Sequence, residues 1–145
     1  MSEHDKSLPV EKAYELRAKH LEMIQSVITR LASNGATLKS FCITLVTAVC
    51  GLAATLQRPN VALLSLLPIF AFAIVDAQYL RTERRMRGLY DKERREDWRT
   101  PPTFEIAVSR APAESFIAAL LSWSILIFYI PLALGVGATF LLLRN

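Results

Sequence analysis

The chain has 145 residues, 52% of them hydrophobic, yet 21% are charged. The two populations are segregated along the chain, which argues against an ordinary soluble domain and points to a membrane protein with polar lobes. The net charge of +4 is concentrated in two basic blocks beside apolar runs. Such blocks first signal topology and attraction to anionic lipid headgroups. Without a zinc-finger or RNA-recognition signature, no specific nucleic acid is expected.

Residues 1–36 are too polar for a signal peptide, so the mature chain is expected to begin near Met1. From about Pro9 to Asn34 the pattern predicts an amphipathic helix, with Pro9 in its first turn and Asn34-Gly35 as its stop. Its seam runs Val10, Tyr14, Arg17, Leu21, Ile24, Ile28, Leu31, a heptad-like stripe with one charged interruption. Three readings stand for that seam. It packs on the chain's own second polar helix, meets another subunit, or lies on the membrane surface.

Two apolar runs follow, at 38–56 and 61–80, each just long enough to cross about 30 Å of hydrocarbon. The link Gln57-Arg58-Pro59-Asn60 is short enough to force a helical hairpin. Cys42 and Cys50 lie two helical turns apart, about 12 Å, too far to bridge each other. They read as small packing residues. Ala48, Gly51 and Ala54 form a small-residue patch that lets another helix approach closely.

Asp76 is a carboxylate inside the second apolar run. Such a group is costly at membrane depth. Pairing the two helices about their turn sets Asp76 level with Phe41 and within a turn of Lys39. A Lys39–Asp76 contact closing the hairpin is therefore expected. The alternatives are a carboxylate near the interface bonding Arg81 or water, and an ion or proton pathway.

The second run continues without proline into a charged helix, Ala77 to about Trp98. Glu83–Arg87, Arg87–Asp91, Asp91–Arg95 and Lys92–Glu96 are spaced as helical ion pairs, and the face is expected to be solvated. Tyr79, Met86, Leu89 and Tyr90 offer a partly apolar strip for the first helix. Thr100-Pro-Pro-Thr103 breaks the helix. Trp98 and Phe104 are expected at the membrane interface. Pro112 suits the first turn of a third span, 116–143, long enough to tilt or bend near Pro131.

The Lys and Arg residues divide as six through Lys39, one at Arg58, nine between Arg81 and Ser115, and one at Arg144. With three crossings the positive-inside rule places the N-terminal helix and the 81–115 segment in the cytoplasm. The short turn and the 144–145 tail are then external. His4 and His20 belong to no metal-ligand pair and are expected to be solvated. No phosphate loop, nucleophile elbow or Cys-x-x-Cys is present, so no catalytic residue, metal or cofactor is expected.

The stretch from Leu21 to Tyr90 resembles an uncharacterised family of small bacterial inner-membrane proteins. The resemblance is carried by Ile24-Gln-Ser-Val-Ile-Thr-Arg30, Leu38-Lys39, Thr44-Leu45, Leu52-Ala-Ala54, Asp76-x-x-Tyr79-Leu-Arg81-x-Glu83-Arg and Leu89-Tyr90-Asp91. It covers about half the chain and omits the third span. Members are sometimes encoded near antiphage systems, including those built on an ATPase and an adenosine deaminase. The resemblance implies a helical membrane protein, an accessory or effector part of such a system, and no catalytic residues.

The expectation is an all-α membrane protein. It comprises an amphipathic N-terminal helix (1–36), a transmembrane hairpin (37–80), a cytoplasmic charged extension and return loop (81–115) and a third span (116–143). It is expected to work in the inner membrane by self-assembly, by docking a cytoplasmic protein, or both. A pore is the rival, with Thr44, Thr47, Thr55 and Ser65 as candidate lining.

Overall fold

The computed structural model describes residues 9–144, among which every regular element is helical. His4 and the last residue of the expected external tail, Asn145, lie outside the described residues. The helices are α1 (Val10–Leu56), α2 (Pro59–Leu63), α3 (Leu66–Arg95), α4 (Phe116–Leu120) and α5 (Trp123–Arg144), with one 3₁₀ turn at Val108–Arg110. Three stretches are long and apolar enough to cross a membrane: Val10–Leu56, Pro59–Arg95 and Trp123–Arg144. The chain is a helical membrane protein.

The expected stop at Asn34-Gly35 does not form. α1 runs unbroken for 47 residues, about 70 Å at 1.5 Å per residue. An interior glycine weakens a helix by only about 1 kcal/mol relative to alanine, and tertiary packing overrides that. Gly35 is buried, and a Cβ there would lie 3.1 Å from Asp76 Oδ1. The glycine is a notch for a neighbouring carboxylate. Pro9 is the N-cap, one residue before the helix. The buried stripe of α1 continues past Leu31 through Gly35, Cys42, Val46 and Ala53, so one seam serves both the polar and the apolar halves.

The second span breaks at Leu64-Ser65, which the apolar pattern did not show. Pro68 has no N–H to give the Leu64 carbonyl four residues back; the Leu67 N–H takes that carbonyl instead, at 3.2 Å. The hairpin turn places Gln57 at a positive φ of 53°, with its N–H on the last carbonyls of α1. The third span is broken too, at Leu121-Ser122, where the N–H groups of Ile125 and Leu126 both reach the Ser122 carbonyl at 3.0 Å; Pro131 lies inside α5.

Pro112 does not open that span. Ser115 caps α4 by accepting from the Ala118 N–H. Pro112 instead presses on α3 at Gly88, where an added Cβ would lie 2.9 Å from the proline Cγ. The return loop can cross α3 this closely only because residue 88 has no side chain.

Two cores result. Cys42, Val46, Ile69, Ile125, Tyr129 and Val136 pack where the three spans meet. Ile24, Ile28, Met86, Leu89 and Ala111 form a second core in the polar lobe. Of the expected seam, Leu21, Ile24 and Ile28 are buried and Leu31 is half-buried; Ile24, Ile28 and Leu31 pack on the chain's own α3 and return loop. Val10 and Tyr14 are exposed.

Candidate functional site

Two buried ionic sites lie on the α1–α3 seam. At the polar end of the apolar bundle, Lys39 Nζ donates to Asp76 Oδ2 at 2.5 Å. Asp76 is 2% exposed. Gly35 admits its other oxygen, and the Phe128 ring lies 5.8 Å from the Lys39 ammonium, within cation–π range. The Tyr129 hydroxyl is buried and makes no hydrogen bond. A cavity of about 190 Å³ adjoins the pair, lined by Gly35, Ala36, Lys39, Asp76, Tyr79 and Ser124 among others. α1 supplies the cation, α3 the anion and α5 the aromatic face. A single ion pair therefore touches all three spans.

The second site is a hub in the polar lobe, centred on Arg17. This charged interruption of the seam is 2% exposed. Its Nη1 donates to the Glu93 carbonyl at 3.2 Å, to Glu93 Oε2 at 3.3 Å and to Glu96 Oε2 at 3.2 Å. Its Nη2 donates to the carbonyls of Asp97 at 3.2 Å and Thr100 at 3.0 Å. One guanidinium thus gathers the end of α3 and the start of the return loop, which suits a planar fork of five donors. Arg110 approaches Glu93 from the other side at 3.9 Å.

His20 is fully buried in this hub, against the expectation that it is solvated. Its Nε2 lies 3.8 Å from Glu93 Oε2, and neither ring nitrogen has a hydrogen-bond partner. Burial lowers its pKa below 6.5; Glu93 opposes the shift, and Arg17 and Arg110 add to it. Phe104 meets the His20 ring edge-on at 5.6 Å and adopts a φ of 56°, a strained region for a bulky residue. Trp98 packs beside Tyr14 at 6.1 Å. Both aromatics thus pack on side chains of α1 in the lobe.

The charged face of α3 is less solvated than its spacing implied. Glu83 and Arg87 pair at 2.6 Å, but Asp91 meets Arg94 and Glu96 meets Arg17. Arg81, Arg84 and Arg85 bind the return loop, through the Glu114 carbonyl, the Glu114 carboxylate, and the Val108 and Pro112 carbonyls. The sequence carried a trace of the hub. Arg17 falls in one apolar stripe, and Glu93 continues the Met86–Leu89 stripe at helical spacing. Charges in two facing stripes mark a buried pair.

Of the small-residue patch, Ala48 and Gly51 face outward and Ala54 is half-buried. A Cβ at Gly51 would touch nothing within 4 Å. Thr44, Thr47 and Thr55 are exposed on the same side, whereas Ser65 is buried and sits 3.7 Å from Cys50 Sγ. Among the described residues, no cluster of three His, Cys, Asp or Glu side chains is placed to hold a metal ion.

The arrangement joins a membrane bundle to a polar lobe through two continuous helices. No family model, no curated protein and no solved structure matches the chain.

Proposed function

We propose that this protein is a non-catalytic assembly or docking component of the bacterial inner membrane. Its N-terminal helix and 81–115 segment are cytoplasmic and its C-terminus is external. The orientation rests on the distribution of Lys and Arg between the segments. The functional reading rests on one observation. α1 and α3 pass uninterrupted from the apolar bundle into the lobe, with a buried ion contact in each half. Such a post couples what happens in the membrane to a surface presented to the cell interior. The resemblance noted above supports a place as an accessory or effector part of an antiphage system.

The test is the size of the purified protein in mild detergent or nanodiscs. Assemblies of more than one chain, or a stoichiometric co-purifying protein, are expected. Single chains with no companion would overturn the reading.

The exposed threonines favour a second reading, an oligomeric pore. Against it, the Thr44 and Thr55 hydroxyls donate to the carbonyls of Ser40 and Gly51 on their own helix, both at 3.0 Å. They need no aqueous lining. Ion flux through liposomes holding the purified protein separates the two readings.

A further inference from the structure

The face of α1 opposite the seam has no partner within the chain, and its charges are sorted. Every serine and threonine of α1 is exposed: Ser26, Thr29, Ser33, Thr37, Ser40, Thr44, Thr47 and Thr55. At about 100° per residue these fall in an arc of about 80°, diametrically opposite Gly35, Cys42, Val46 and Ala53. Towards the N-terminus the same arc carries exposed charges. Glu11, Glu15 and Glu22 lie on one flank, and Lys12, Lys19 and Arg30 on the other. Between Ser33 and Thr55 the centre of the arc holds nothing larger than threonine, whereas Leu45 and Leu52, to one side of it, are large and exposed.

We propose that this face is a parallel interface with a second copy of this chain. The inference rests on the assembly reading above and names its surface and partner. Charge complementarity selects the occupant. When two identical parallel helices meet about a twofold axis, the left flank of one faces the right flank of the other. Acidic and basic flanks therefore meet along the lobe. Copies inserted the same way can only pair in parallel. In the membrane half, small residues let the two backbones approach, and dispersion contacts replace weaker packing against lipid. The hydroxyls of Thr37, Ser40, Thr44 and Thr55 are already bonded to carbonyls one turn back, so they enter a close helix contact without unmet donors. A face meant only for lipid has no use for the absence of large side chains, and one meant only for water has no use for sorted flanks.

The experiment is disulfide scanning in native membranes of a chain with Cys42→Ala and Cys50→Ala. Ser33→Cys, Ser40→Cys, Thr44→Cys and Gly51→Cys are each expected to give a cross-linked species of twice the chain mass on oxidation. Leu45→Cys and Leu52→Cys, on the same helix, are not. Equal cross-linking at all six, or a product containing a different protein, would overturn the interface. Gly51→Leu covers the chance that the cysteine-free background misfolds, because nothing in the chain opposes a side chain there. It is expected to keep its helicity and run as a single chain, and unchanged assembly would overturn the interface. Glu22→Lys or Lys19→Glu alone is expected to weaken cross-linking at Ser33→Cys about threefold, and co-expressing the two is expected to restore it. A normal-sized assembly that fails to cross-link on the arc sinks this interface and leaves the assembly reading standing. A single-chain size for the unmodified protein sinks both.

Discussion

In the polar lobe, Ile24, Ile28, Met86 and Leu89 leave water when α1 meets α3, each burial contributing about 1.5–3 kcal/mol. In the apolar half of the seam, Cys42, Val46 and Ile69 leave only lipid, which solvates them almost as well. The lobe is therefore held by the hydrophobic effect and tied off by the Arg17 hub. The bundle has no such force between its helices, and one ion pair beside a glycine notch carries more of the specificity. Charge plays opposite parts in the two regions. In the lobe it finishes a core that already wants to form. In the bundle it marks the register in which three otherwise slippery helices meet.

Breaking each half should therefore need a different substitution. The largest effect is expected from Ile24→Asp, which places an unpaired carboxylate in the lobe core. It should destabilise the lobe by at least about 4 kcal/mol. Limited proteolysis should cut the lobe while membrane insertion is unchanged. Unchanged protease resistance would mean that the seam is not buried.

Asp76→Ala comes next, at about 3–5 kcal/mol, because it strands the Lys39 ammonium beside Phe128. Lys39→Ala should act on the same unfolding step in detergent. A double-mutant cycle should give a coupling of at least about 0.5 kcal/mol, and simple additivity would separate the two residues.

Gly88→Ala sharpens the comparison by overpacking the lobe alone. Its Cβ would meet Pro112 at 2.9 Å, for a loss of about 1–3 kcal/mol read as earlier proteolysis of the return loop. The smallest effect concerns His20. Its folded pKa is below its unfolded value of 6.5, so the unfolded chain takes up a proton first as pH falls. Lobe stability should decline below pH 6.5 by at most about 1.4 kcal/mol per pH unit from this group, and His20→Phe should abolish that part.

The positions of the three spans, and the Lys39–Asp76 proximity, could be read from the sequence because both follow from geometry that accumulates regularly. An apolar run sets a helix, a four-residue link sets antiparallel pairing, and counting outward from the link sets register. What stayed hidden depends on elements with no period. The Arg17 hub is completed by carbonyls at Asp97 and Thr100, whose place is fixed by a loop. Gly35 read as a stop because propensity treats glycine as a breaker. Its contact with Asp76 exists only once α3 is in place. The breaks at Ser65 and Ser122 were masked by apolar runs that look continuous, although Pro68 foretold the first. His20 seemed solvated because helical spacing alone did not reveal that Phe104 folds over it.

The most direct test of the account is cysteine accessibility from each side of the membrane, in the chain lacking Cys42 and Cys50. A membrane-impermeant thiol reagent applied to intact cells should label Asn60→Cys. It should spare Glu15→Cys and Arg99→Cys until the inner membrane is opened, because α1 and α3 share one lobe on one side. Labelling of Glu15→Cys and Arg99→Cys from opposite faces would contradict the three-span seam outright.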